Sequence, residues 1–185
     1  MESKNIFSTG LIPTLTEVLE TRENRARLQE TLVKEFQRPV LAFKLNIPGP
    51  VKNNGVIVKV FQKGKQEIKN ILQQHQWKLL YEKELNIKTG PEYFCVLDMD
   101  DAEILKIEMI KLEESSLGRI FDIDVLFEMN NIISSIERTK VGYPARKCFI
   151  CEKDAKECGR NRTHSVVEMQ RKLEELILKD GSVIN

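Results

Sequence analysis

Apolar residues in this chain change their spacing as it advances, and that alternation limits the folds open to it. From Leu15 to about Phe36 they fall at Leu15, Val18, Leu19, Leu28, Leu32 and Phe36, the pattern of an amphipathic helix that Thr14 or Thr16 caps. Pro39 ends it, and "VLAFKLNI" (40–47) reads as a strand with apolar residues on both faces. In "PGPVKNN" neither proline continues a ladder or opens a helix interior, so the chain makes a fixed turn. A second helix is expected over 54–76 from Val56, Val60, Ile68, Ile71 and Leu72, despite Gly64. "WKLLYEKELNIK" and "EYFCVLDM" then form a hairpin across Gly90-Pro91.

Segment 100–116, "DDAEILKIEMIKLEESS", fits both periods, and an Asp100 or Asp101 cap with charges of both signs favours helix. "GRIFDIDVLF" (118–127) is a strand, with a partner near Ile132 to Ile136 across "EMNN". The tail, 164–178, returns to helical spacing through Val167, Leu173, Leu176 and Ile177. Helices alternating with hairpins give the α+β class: one domain over 1–185, with a mixed or antiparallel sheet packed against several helices. Residues 1–14 are expected to form a loosely ordered N-terminal segment.

Charge and hydropathy exclude some functions. The chain is 31% charged with a net charge of +1, which argues against a broad polycationic surface. It holds no run of about 18 apolar residues, so no membrane-spanning segment is expected. "MESKNIFSTGLIPTL" lacks a basic leader followed by an apolar run. A cytoplasmic location with reduced cysteines is the expectation.

Two aspartates stand inside the strand 118–127, where aspartate is normally depleted. Alternation puts Phe121, Ile123, Val125 and Phe127 on the core face, and Asp122, Asp124 and Glu128 on the other. Carboxylates two positions apart are separated by roughly 7 Å at the backbone, and can converge on one Mg²⁺. Phosphoryl and nucleotidyl transfer use such a pair. Gly118 would allow close backbone approach to a ligand, and Arg119 offers a bidentate donor to phosphate. A polar outer strand face explains the same residues, so the pair alone leaves both readings open.

A second cluster follows in Cys148-x2-Cys151-x6-Cys158-x5-His164. Three thiolates and an imidazole close a tetrahedral Zn²⁺ shell. If the stretch is helical, however, the cysteines approach one face and serve as small buried hydrophobes. Redox or catalytic use is a third reading. Around them six basic residues, Arg146, Lys147, Lys153, Lys156, Arg160 and Arg162, outnumber three acidic ones, which suits a phosphate-rich ligand. Lys52, after the proline turn and near a helix start, is a further phosphate candidate. His75 reads as a cap or surface residue and Trp77 as a core anchor.

Three motifs in order, "NIPGPVK" (46–52), "LGRIFDIDV" (117–125) and "YPARKCFICEKDAKECGRNRTH" (143–164), resemble the holo-citrate lyase acyl-carrier-protein synthase family, the apo-citrate lyase phosphoribosyl-dephospho-CoA transferases. "LETRENRARLQ" (19–29) is similar to that family's arginine-rich opening helix, and the likeness runs from about Val18 to Leu178. The resemblance implies a nucleotidyltransferase. It would move 2′-(5″-triphosphoribosyl)-3′-dephospho-CoA to a serine of the apo acyl-carrier (gamma) subunit of citrate lyase, releasing pyrophosphate. On that reading Asp122 and Asp124 hold Mg²⁺, and Arg119, Lys52, Arg146, Arg160 and Arg162 meet phosphates. Arg22 and Arg25, one turn apart, reach the ligand or simply face solvent. His164 competes between serving as base and serving zinc. In the wider nucleotidyltransferase superfamily a Gly-Ser turn precedes such a pair; Gly118-Arg119 stands there in this chain, so that likeness is an analogy.

The competing reading is a zinc-stabilised module that binds nucleic acid or an acidic protein without catalysis. Near-neutral charge and the lack of aromatics among the basic residues argue against nucleic acid. A carrier-protein binder without catalysis would leave the aspartates idle.

Overall fold

Thr14 starts the first helix through a reciprocal cap. Its hydroxyl accepts from the Glu17 N–H at 3.2 Å, and the Glu17 carboxylate accepts from the Thr14 N–H at 2.6 Å. In the computed structural model, which describes residues 6–181, α1 then spans Leu15–Phe36. Gln37 ends it at φ 50°, and β1 follows at Val40–Leu45. Asn54 caps α2, Gly55–Gln74, by accepting from the Ile57 N–H at 2.9 Å. β2, Leu79–Ile87, and β3, Gly90–Leu97, form the expected hairpin.

The ambiguous segment is helical: α3 spans Ala102–Glu114, with the Asp101 carboxylate accepting from the Glu103 and Ile104 N–H groups. The expected strand 118–127 begins later than its pattern suggested. Leu117–Ile120 is a 3-10 turn, and β4 covers Phe121–Met129 before the short β5, Ile132–Ser135. A seven-residue α4, Ala155–Asn161, precedes α5, Val166–Asp180, whose Ser165 and Glu168 form a second reciprocal cap.

The five strands lie in the order β2-β3-β1-β4-β5, and every pairing is antiparallel. β1 is apolar on both faces because it is the middle strand between two helical layers. On one side Leu41 and Phe43 pack with residues of α2, α3 and α5; on the other Val40 and Ala42 pack with Leu32 and Val33 of α1. The Phe43 ring stacks on Phe61 at 4.9 Å and meets Phe121 edge-on at 5.3 Å. Gly64 sits over this cluster, where a Cβ would come within 2.6 Å of Phe43 and 2.8 Å of Phe121. That close approach accounts for glycine inside a helix.

The α+β expectation therefore holds, as one domain with a wholly antiparallel sheet. Of segment 1–14, residues 1–5 lie outside the described residues; beyond them Phe7 is buried and Leu11 bridges to Asn53. Trp77 is partly buried against the core and stacks on His75 at 4.3 Å.

Candidate active site

β4 carries the aspartates on the face opposite its core residues, and its edge beyond β1 is only half paired. β5 pairs with β4 from Leu126 to Met129, and the Ile136 N–H reaches the Val125 carbonyl at 2.9 Å. Upstream, among the described residues, no strand pairs with this edge, and side chains satisfy the backbone instead. Glu113 Oε1 accepts from the Ile123 N–H at 3.0 Å, Lys106 Nζ donates to the Ile123 carbonyl at 2.8 Å, and Arg146 Nη1 donates to the Phe121 carbonyl at 2.9 Å. Such groups would otherwise be costly orphans. Lys106 and Glu113 come from one face of α3, two turns apart, and are both buried. Glu113 also pairs with Arg138 at 3.4 Å and Arg146 at 3.7 Å. The peptide between the two aspartates is thus clamped from behind.

Asp122 and Asp124 open into one cavity of about 470 Å³, together with Ser135, Arg138, Arg146 and Lys156. Ser135 Oγ donates to Asp124 Oδ1 at 2.9 Å. Across the sheet, register places Glu92 of β3 and Asp122 of β4 on either side of Lys44 in β1. Lys44 is ion-paired with Asp122, and Arg25 of α1 with Glu92. Burial pushes the Lys44 ammonium down to about 8; the Arg25 charge acts the same way, against Asp124 and Glu92.

Two more recesses adjoin this one. Arg146 also lines a cavity of about 660 Å³ with Lys52, Arg119, Arg162 and His164. Lys52 in turn lines a smaller recess of about 160 Å³ with Arg22, Arg25 and Lys44. Burial lowers the pKa of both Lys52 and Arg146; the Arg22 charge adds to the effect on Lys52, while Glu113 opposes it on Arg146. Cations gathered in shared recesses concentrate positive potential where anions enter.

The cysteine cluster is compact. Residues 147–154 make a tight hairpin, closed by the Cys148 N–H to Lys153 carbonyl bond at 2.7 Å, with Glu152 at φ 61°. Cys148 and Cys151 therefore do not lie on a helix, and the reading of the cysteines as one helical face does not apply. Asp154 caps α4, which carries Cys158; Arg162 ends it at φ 48°, and His164 follows just before α5. One ligand atom from each of Cys148, Cys151, Cys158 and His164 lies within 4.8 Å of all the others, a group able to hold a metal ion. The Cys151 and Cys158 sulfurs are 3.4 Å apart, and His164 Nε2 is 3.1 Å from Cys151 Sγ. The Lys153 N–H and then His164 draw the Cys151 thiol down to about 7, whereas desolvation raises Cys158 to about 11.

Most residues singled out in the sequence meet around these recesses. Gly118 does not: it is buried against α3, where a Cβ would collide with the Leu112 carbonyl, so its smallness serves packing. Arg119 donates to the Lys147 carbonyl at 2.6 Å, tying the turn before β4 to the cysteine hairpin. Arg160 is exposed on α4. Sequence reasoning missed Lys44, Glu92, Lys106, Glu113 and Arg138. A lone lysine in an otherwise apolar strand was the available signal for Lys44.

A family model described as apo-citrate lyase phosphoribosyl-dephospho-CoA transferase matches residues 13–180. A Streptococcus pyogenes serotype M3 protein is 39% identical over 176 residues, covering 94% of this chain and 90% of its own length. A Vibrio cholerae serotype O1 (strain M66-2) protein is 37% identical over 163 residues, covering 88% and 90%. Both bear the name "Probable apo-citrate lyase phosphoribosyl-dephospho-CoA transferase". The chain belongs to the apo-citrate lyase phosphoribosyl-dephospho-CoA transferase family.

Proposed function

We propose that this protein is a transferase that attaches a phosphoribosyl-dephospho-CoA group to apo-citrate lyase, using the cleft around Asp122 and Asp124. The acceptor is a serine of the acyl-carrier subunit, and the donor is the triphosphoribosyl precursor. The serine oxygen attacks the phosphate next to the ribose, a phosphodiester forms, the bond to pyrophosphate breaks, and the serine proton leaves to a nearby carboxylate. The observation that carries this reading is one open cleft into which both β4 aspartates open beside Lys106, Arg138, Arg146 and Lys156, in a chain of this family.

The donor set fits a hard divalent cation. Two carboxylates project from the same strand face into a polar, open cavity, and oxygen ligands of this kind select Mg²⁺. Mg²⁺ there would neutralise the triphosphate and stabilise the leaving pyrophosphate. Lys44, Lys52, Arg22 and Arg25 bind the phosphates from the α1 side, and Arg119, Arg146 and Arg162 from the other; Arg160, which lines none of these recesses, takes no part. The three cysteines and His164 suit Zn²⁺, since thiolate and imidazole donors in a closed tetrad are the ligands of structural zinc. With His164 so engaged, the proton acceptor is an aspartate of the pair.

The deciding experiment mixes the protein with the apo acyl-carrier subunit, the triphosphoribosyl precursor and Mg²⁺, and weighs the carrier by mass spectrometry. The expected result is a mass gain that folded Asp122→Asn and Asp124→Asn variants fail to give. An unmodified carrier after incubation with the wild-type protein overturns the assignment.

A further inference from the structure

α4 buries a single side chain, and it is Cys158. A helix of seven residues is far below the length that holds itself together in water, and most helical stability in proteins comes from packing an apolar face. α4 has no such face. Backbone bonds hold only its ends, Ala155 N–H to the Arg146 carbonyl at 2.8 Å and Thr163 N–H to the Cys158 carbonyl at 3.1 Å. The side chains that draw it to the hairpin and to the start of α5 are those of the cluster: Cys148 and Cys151 on the hairpin, Cys158 on α4, His164 before α5. Four donors around a zinc with bonds of about 2.0–2.3 Å stand roughly 3.5–4 Å apart. The 3.4 Å and 3.1 Å separations at Cys151 are already near that spacing.

The same pieces form one wall of the 660 Å³ cavity. Phe149, Arg162 and Val166 line it from these pieces, together with Ile47, Pro48 and Lys52. The lining is mixed in a telling way, apolar surface from Ile47, Pro48, Phe149 and Met169 beside the guanidinium groups of Arg119 and Arg162. Apolar surface next to phosphate donors is what a nucleotide needs, base on one and phosphates on the other.

We propose that a zinc ion on Cys148, Cys151, Cys158 and His164 builds the wall of a nucleotide subsite, so that metal occupancy and nucleotide binding are thermodynamically linked. The identity of the nucleotide, the dephospho-CoA end of the precursor, rests on the transferase reading; the linkage does not require the carrier. Coupling is reciprocal: whatever factor the metal adds to nucleotide affinity, the nucleotide adds to metal affinity.

The test uses the full chain without a metal-binding tag, kept reduced, with dephospho-CoA as the probe. Metal analysis should find one zinc per chain, and Co²⁺ exchanged into the site should give the visible absorption of a tetrahedral thiolate complex. Calorimetry should show dephospho-CoA binding at least about tenfold more weakly to chelator-stripped protein. Saturating dephospho-CoA should slow zinc release into a chromogenic chelator. Because stripping could loosen more than one wall, Arg162→Gln is measured in zinc-loaded form, where weaker nucleotide binding with unchanged zinc content is expected. Absence of stoichiometric zinc with no uptake of Co²⁺ overturns the site. Equal dephospho-CoA affinity with and without metal overturns the linkage, and Arg162→Gln binding like wild type overturns the subsite. A failure of the transferase reading appears separately, as an unmodified carrier in the mass assay while these binding results stand.

Discussion

Lys44 stands directly across the β1–β4 ladder from Asp122, and their side chains are ion-paired on the open face of the sheet. The lysine is squeezed between needs: Asp122, Asp124 and Glu92 favour its charge, while burial and Arg25 oppose it. With a folded pKa near 8, it holds its proton at neutral pH and releases it in mildly alkaline solution.

Affinity for the triphosphoribosyl precursor should therefore fall as pH rises through about 8. Lys44→Gln should bind more weakly at pH 7 and lose that alkaline step. The stability effect has the opposite sign. The unfolded chain keeps the lysine proton up to its ordinary pKa of 10.5, so the cost of burying the charge is present below 8 and is relieved between 8 and 10.5. Urea melts of wild type and Lys44→Gln across that range should converge at the alkaline end.

Neutralising either aspartate should slow transfer by on the order of 100-fold or more, because metal-assisted charge stabilisation at the phosphate is a term of several kcal/mol. Each variant should remain folded by circular dichroism, since both side chains border an open cavity. Raising Mg²⁺ should recover part of the Asp124→Asn rate if weakened metal affinity is the defect, read from initial rates of carrier modification.

Glu113→Ala should cost about 3–5 kcal/mol of folding stability, the usual penalty for stripping a buried charge of its partner. The loss would orphan the Ile123 N–H and leave Arg138 and Arg146 without their shared carboxylate. Urea denaturation measures it directly.

Gly118→Ala should lower stability by about 1–3 kcal/mol through collision with the Leu112 carbonyl. The folded fraction should bind dephospho-CoA like wild type, because the glycine faces α3. Thermal melts and calorimetry on the same preparation separate the two effects.

The parts of this fold that were legible in the sequence are those set by local period. Thr14, Asp101 and the proline after α1 announce element ends, and the alternation from Phe121 to Val125 puts both aspartates on one face, with Leu126 beyond them breaking the polar pattern. What the chain hid was long-range. Lys106 and Glu113 read as ordinary charges on an amphipathic helix, because only the finished sheet reveals that an unpaired strand edge lies beneath them. Gly118 misled for the same reason: a small residue beside a candidate site looks like room for a ligand until α3 is seen to occupy that room. The cysteine spacing left helix and metal readings open, and the left-handed Glu152 that turns the hairpin is a tertiary fact.

β5 stops four residues in, and the chain departs at Ile136. Had the hairpin arm run on alongside Asp124 and Asp122, backbone would occupy the cavity that both carboxylates line. The hollow beside the two aspartates is carved by a strand that ends early, so its depth is set by hairpin length, and any insertion that prolongs that arm would fill it and push Glu113, Lys106 and Arg146 off the edge of β4.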